Sequence, residues 1–200
     1  KNLLLVENEK MHRAEVLNQL QQLKNNINPH FLFNSLNSLY MLIGLNKENA
    51  QKFTMNLSKI YRYLIVPPKE NIVLVSQEIS FIKQYMDLLK SRFDQEISFE
   101  LIISDEESLE KRIPYLSLQL VTENAIKHNI ATIDHPLAII IIVEKDGIIV
   151  KNTWQPKTED IQSEKFGLDY LNQVYKYFKN NNLSISLRDG YFICFLPLMD

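Results

Sequence analysis

Cysteine is nearly missing from this chain of 200 residues: Cys194 stands alone. No disulfide can form within the chain, and such usage suits a reducing compartment. Four histidines and one cysteine are a poor supply of ligands, so no zinc cage is expected. Charge of one sign is also lacking. A net charge of -2 and a pI near 6.1 give no electrostatic footprint for nucleic acid, and no direct nucleic-acid contact is expected. Nor is there a long apolar run. The longest, Leu137-Ala138-Ile139-Ile140-Ile141-Ile142-Val143, falls far short of the roughly 20 residues that cross a bilayer. Its β-branched content reads as a buried strand. No signal peptide, repeat or low-complexity segment is visible. The chain opens on Lys1 instead of methionine, so a fragment of a longer protein is expected. What is present is apolar material: 46% of residues are hydrophobic, enough for one large domain or two small ones.

The first third has helical period. Val16, Leu20, Leu23 and Ile27 follow the 4-3-4 spacing of a coiled-coil seam, which one helix cannot bury alone. From Phe31 to Leu45 apolar residues cover most of the circumference, as inside a bundle. Gly44 and Asn46 are stop signals. Phe53, Leu57, Ile60 and Leu64 repeat the 4-3-4 spacing until Pro67-Pro68 ends the helix. The pair reads as an antiparallel hairpin, and two hairpins from two chains would close a four-helix bundle. The alternative is a monomeric hairpin packed on the rest of the chain. Ser76, with Glu78 nearby, opens a third helix that runs to about Phe93.

Within the hairpin lies Ile27-Asn28-Pro29-His30-Phe31-Leu32-Phe33-Asn34. A proline in a helix interior removes a backbone hydrogen bond, here one to the carbonyl of Asn25, and bends the chain. The histidine that follows carries a neutral imidazole near pH 7, a good nucleophile. Read alone, it is as readily a packed core histidine beside a structural kink.

The period changes at Ile97. Ile97, Phe99, Leu101 and Ile103 alternate as a strand. Pro114 is expected to open a helix that ends near Asn129. Two strands follow, Leu137 to Glu144 and Ile148 to Asn152, joined at Asp146-Gly147. A polar stretch from Thr158 to Lys165 reads as a mobile lid. A helix from about Gly167 to Phe178 buries Leu168, Leu171, Val174, Tyr175 and Phe178. After a turn at Asn180-Asn181-Asn182, strands Leu183 to Leu187 and Tyr191 to Leu196 close the domain through Asp189-Gly190. Helices on one face of a mixed sheet make an α/β sandwich.

Two of these stretches resemble a known family. Asn28-Pro29-His30-Phe31-Leu32-Phe33-Asn34 is similar to the phosphoacceptor signature of LytS-like sensor histidine kinases. Pro114 to Asn129, with its Glu123-Asn124-Ala125-Ile126-Lys127-His128-Asn129 end, resembles the N-box of the GHKL ATPase superfamily in its histidine kinase form. The resemblance runs from about Gln21 to Tyr177. It implies an α+β fold, with a helical hairpin over residues 1–68 for dimerisation and histidine phosphotransfer. A GHKL-type ATP-binding domain then spans residues 76–200. It further implies a two-component kinase that phosphorylates His30 from ATP and passes the phosphoryl group to a response-regulator aspartate, on a regulator of LytTR type. A homodimer is implied, as is a cytoplasmic location in a membrane-anchored parent.

The residue types suit the implied cofactors, ATP and Mg²⁺. Asn124 offers Mg²⁺ a neutral oxygen. Lys127 and His128, three and four residues on, share roughly its helix face and reach phosphate oxygens. Asn129 closes the same cluster, whereas Glu123 sits about 100° around the helix. Asn34, one turn beyond His30, would hydrogen-bond the ring or position a water. Asn152 takes the place of the family's adenine-binding aspartate, and Gly167 matches a glycine of the second glycine box.

The departures define the alternatives. Asn152 has no charge to offer the adenine amino group. Trp154 and Lys165 replace glycines, which a backbone close to phosphate usually needs. Phe31 follows the phosphoacceptor where better-known histidine kinases carry an acid. A pseudokinase, a dimeric scaffold that binds its regulator without ATP turnover, is the runner-up. A hydrolytic GHKL ATPase is a third reading, but Leu120 stands where such enzymes carry the glutamate that activates water.

Overall fold

A computed structural model describes residues 29–66, 68, 71–157, 166–178 and 183–199; the side chains of residues 29, 30, 91, 92, 94, 166 and 167 lie outside that description. The expected seam from Val16 to Ile27, the kink that turns on Asn25 and the lid from Thr158 to Lys165 fall outside the described residues. The chain divides into two units, Lys1–Val66 and Pro67–Asp200.

In the first unit, helix α1 (Pro29–Leu45) is followed after one residue by α2 (Lys47–Ile65). Asn46 makes the break. Its backbone is extended, and its side-chain oxygen accepts the Asn49 N–H at 3.0 Å, capping α2. Gly44 lies inside α1, one residue before its end. The buried residues of α2 are Ala50, Phe53, Leu57, Ile60 and Leu64, so the expected stripe faces inward with Ala50 added. Phe31, near the start of α1, meets Tyr61, near the end of α2, with ring centroids 6.3 Å apart. The helices are therefore antiparallel. The all-round burial expected of α1 is not found. Phe31 and Ser35 are buried, but Phe33, Leu36, Tyr40, Met41, Ile43 and Leu45 are exposed. One partner helix can cover only one face.

The second unit is a sandwich. Its strands are β1 (Ile72–Leu74), β2 (Ile97–Ile103), β3 (Arg112–Pro114), β4 (Leu137–Val143), β5 (Gly147–Thr153), β6 (Ser184–Arg188) and β7 (Tyr191–Pro197). Its helices are α3 (Val75–Phe93), α4 (Ser117–His128) and α5 (Phe166–Tyr177). The main sheet runs β2-β4-β5-β7-β6, and β1 pairs with β3 in a separate antiparallel ribbon. Strands β2 and β4 are parallel, from Ile97 opposite Leu137 to Ile103 opposite Val143; the other neighbours in the sheet are antiparallel. The α+β class thus holds, as a helical hairpin followed by an α/β sandwich.

Alternation decides which face is covered. Leu137, Ile139, Ile141 and Val143 of β4 are fully buried, while Ala138, Ile140 and Ile142 between them are half-buried. Ile148 and Val150 of β5 and Cys194 and Leu196 of β7 complete the covered face. Helices α3, α4 and α5 lie against it, with α4 touching both other helices and strands β4 and β5. Gly147 matters for space, not for a turn. A Cβ there would fall within 2.3 Å of the Phe195 ring and 2.8 Å of the Leu196 carbonyl oxygen. Gly190 is different: it follows Asp189, and both have positive φ (51° and 77°), the two-residue hairpin turn that favours glycine.

Pro114 does not open α4, as its sequence position suggested. It ends β3 opposite Ile72, and the helix starts three residues later. Leu116 adopts left-handed φ of 65° before the first turn. Proline has no N–H to give, so it fits at a strand end as well as at a helix start.

Burial pushes the Cys194 thiol from 9.0 up to about 12. The folded state holds this proton more tightly than the unfolded chain. The stabilisation is therefore complete below about pH 9 and is lost as pH rises toward 12. Tyr115, Tyr170 and Tyr175 are also shifted upward by burial. Urea midpoints are expected to fall steadily above pH 9, and Cys194 to resist a thiol reagent until the sandwich unfolds. Rapid labelling of native protein at neutral pH would contradict this.

Among the described residues, no helix is long and apolar enough to cross a membrane.

Candidate functional site

The polar residues of α4 that stay uncovered lie toward its end because its other face is needed for the core. Leu118, Val121, Thr122 and Ala125 are buried, which leaves Asn124 and His128 half-buried on a flank and Lys127 exposed. Asn124 and His128 are four residues apart, one above the other. The structure thus brings Asn124, Lys127 and His128 to one end of the sandwich.

Asn129 ends this helix but is differently employed. It is only 2% exposed. Its Nδ2 donates to the Ala125 carbonyl at 2.8 Å, and its Oδ1 accepts the Gln155 N–H at 2.9 Å. Both ends of the amide are committed within the protein, so Asn129 ties α4 to the chain leaving β5. Backbone bonds reinforce the tie: Ile130 N–H to the Gln155 carbonyl at 2.8 Å, and Lys157 N–H to the His128 carbonyl at 3.1 Å. The Lys157 ammonium donates to the Lys127 carbonyl at 2.8 Å, a cation where the helix dipole is negative. Sequence reading missed Lys157.

Asn152 lies on β5, on the covered face, opposite Ile139 and Phe192. It is 2% exposed, and its Nδ2 donates to the Thr153 carbonyl at 2.7 Å. Two residues on, Trp154 stacks on Phe192, with centroids 6.0 Å apart and planes 20° from parallel. Gly167 is the second residue of α5.

Glu123 is not part of this cluster. Its Oε1 accepts from the Tyr85 hydroxyl and the Gln119 Nε2, both at 2.9 Å, which ties α4 to α3. A second carboxylate, missed as a site-shaping group, holds the other end of α4. Glu78 of α3 is fully buried. Its two oxygens accept the N–H groups of Leu116 at 2.9 Å and Leu118 at 3.2 Å. No side chain of α4's own N-cap does this. That lack of a local cap was the only hint in the sequence. Tyr115 beside it is shifted upward, first by burial and then by the Glu78 charge.

In the other unit, the backbone of His30 is in the first turn of the described part of α1; its side chain lies outside the described residues. Phe31 beside it is buried against Tyr61, and Asn34 is half-buried one turn on. Among the described residues, no group of three or more His, Cys, Asp or Glu is placed to hold a metal ion by itself.

The chain joins, in sequence, a helical hairpin bearing a Pro-His-Phe segment to an α/β sandwich with this polar helix end, and its comparisons fall among histidine kinases. Residues 18–97 match the family described as Histidine kinase. Sensor histidine kinase BtsS of Escherichia coli (strain K12) is 30% identical over 129 residues, 64% of this chain and 23% of that protein. Sensor protein LytS of Streptococcus agalactiae serotype V is 28% identical over 139 residues, 70% of this chain and 24% of that protein. The chain thus resembles LytS-like sensor histidine kinases. It spans about a quarter of the length of the curated relatives it matches. Among solved structures, the cytoplasmic segment of histidine kinase QseC aligns with a TM-score of 0.45 and 13% identity, covering 76% of this chain and 94% of that one. That match is too distant to add to what the chain's own elements establish.

Proposed function

We propose that this chain is the phosphoacceptor and ATP-binding part of a two-component sensor kinase. It phosphorylates its own His30 and passes the phosphoryl group to an aspartate of a response regulator, of LytTR type by resemblance. The observation that carries this reading is the grouping of Asn124, Lys127 and His128 at the end of α4. That end is tied through Asn129 and Gln155 to the strand that bears Asn152.

The donor set fits a nucleotide carried in with Mg²⁺. The Asn124 carboxamide would offer Mg²⁺ one hard oxygen ligand. ATP with Mg²⁺ supplies the transferable phosphoryl group. Lys127 and His128 offset the charge of its oxygens. Asn152 Oδ1 accepts from the base amino group, and Gly167 admits the backbone of α5 close to phosphate. Asn129 acts by position, fixing the helix end. A ring nitrogen of His30 forms the new N–P bond as the bond to the ADP oxygen breaks, and the ring proton leaves to solvent. Asn34 orients the ring or a water.

The exposed residues Phe33, Leu36, Tyr40 and Ile43 recur at 3-4-3 spacing on the side of α1 away from its buried face. Such a stripe fits a second copy of the hairpin, giving a homodimeric four-helix bundle.

A dimeric scaffold without ATP turnover is the second reading, favoured by the uncharged Asn152 and by Trp154 and Lys165 where glycines stand in the family. Transfer from γ-labelled ATP with Mg²⁺ separates the two. Acid-labile label on the chain, passed on to a regulator, is expected. Asn124→Ala should lower labelling about a hundredfold with an unchanged melting temperature. Neither label nor nucleotide binding in the wild type would leave the scaffold.

A further inference from the structure

We propose that Trp154 is the base platform of this site: stacked on Phe192 and two residues beyond Asn152 on the same sheet face, it holds a purine ring by stacking. The inference rests on the nucleotide reading and names how that site grips the base.

The register fixes the arrangement. Asn152 and Phe192 are directly opposed across β5 and β7, so their side chains share a face. Trp154, two residues past Asn152, is on that face too, as its stack with Phe192 requires. It is the covered face, because Val150 and Cys194, the next pair along, are buried on it. The platform therefore continues the floor on which α4 rests and reaches out past Asn152.

The ring is mounted on a pinned backbone. The Trp154 N–H donates to the Gly190 carbonyl at 2.8 Å, and the next residue, Gln155, is bonded to Asn129 Oδ1. Even so, Trp154 remains 42% exposed. Leu187, opposite Phe192 on the same face, is 56% exposed. A flat apolar shelf thus stays open to water beside a buried carboxamide, at the end of the sandwich where the α4 cluster ends.

The chemistry is complementary. An aspartate fixes an adenine amino group through a charge-assisted bond, and a neutral amide is weaker. Stacking on an aromatic face supplies what is lost, and it tolerates different bases because every base has a π-face. Trp154 adds this at a position where glycine would present no ring.

Trp154 is the chain's only tryptophan, so its emission reports this position alone. The full chain is titrated with Mg-ATP and, as a base-free control, with Mg-tripolyphosphate, each followed by calorimetry and by tryptophan emission. Emission is expected to change with ATP at the calorimetric midpoint and to stay constant with tripolyphosphate. W154A should weaken ATP roughly tenfold and leave tripolyphosphate unchanged, and W154F should restore most of the loss. An equal emission response to tripolyphosphate would overturn the platform, since no base is present. So would calorimetric binding of ATP with constant emission, and in both cases the nucleotide reading survives. No binding of ATP at all overturns that reading and the platform with it. Should W154A misfold, the wild-type emission and W154F still decide.

Discussion

Replacing His30 by glutamine is expected to abolish acid-labile labelling from ATP while leaving nucleotide affinity intact. A phosphoryl group on imidazole is held by an N–P bond, which survives base and is lost in acid, unlike phosphate on serine, threonine or tyrosine. Glutamine is of similar size but has no nucleophilic ring nitrogen. The change should cost the hairpin little. The neighbouring Phe31 carries the packing against Tyr61, and the core stripe of α2 is untouched. The sandwich is a separate unit, so binding of Mg-ATP should be as tight as in the wild type. The chain has four histidines, His12, His30, His128 and His135. Full labelling of His30→Gln would move the acceptor to one of the other three and sink the assignment.

The second large effect is on stability. Glu78→Ala is expected to destabilise the sandwich by roughly 2–6 kcal/mol. Removing the carboxylate leaves the N–H groups of Leu116 and Leu118 without these acceptors, at about 1–3 kcal/mol for each buried donor. It also removes a negative charge from the positive end of α4. Glu78→Gln, which keeps one acceptor oxygen, should cost less, about 1–3 kcal/mol. Urea unfolding of the two variants measures this. Equal stability of wild type and Glu78→Ala would mean that the carboxylate is not the cap of α4. Function should follow stability. Asn124, Lys127 and His128 ride on a helix gripped at its start by Glu78 and at its end by Asn129 and Lys157. A loosened start should weaken nucleotide binding even where the variant stays folded.

Much of this was legible in the sequence where the signal is local. The stripe Phe53, Leu57, Ile60 and Leu64 is the buried face of α2, because a 3.6-residue period lines up those side chains whatever they meet. Strands β2, β4 and β7 lie where alternation and β-branching placed them, and Asp189-Gly190 makes the turn its residues favour. The α4 cluster was legible for the same reason, since Asn124, Lys127 and His128 are spaced for one side of a helix. The misreadings were also local in kind. Pro114 suits a strand end and a helix start equally, and only its pairing with Ile72 across the ribbon chose between them. The broad apolar surface of α1 said that it would be covered, but not that α2 covers only part of it.

What the sequence determined by itself was therefore most of the helices and the strands of the main sheet, the polar end of one helix and the family that the Pro29-His30-Phe31 segment resembles. Each rests on residues within a few positions of one another. Tertiary structure decided how that helix is held and what surrounds its end. Glu78 caps a helix 38 residues away, Asn129 bonds to Gln155 26 residues away, and Lys157 reaches back 30 residues to Lys127. Trp154 finds Phe192 only because β7 returns beside β5. Such pairs leave no period in the chain. Each is fixed by the burial of a polar group or an aromatic face that must find its partner wherever the fold brings one.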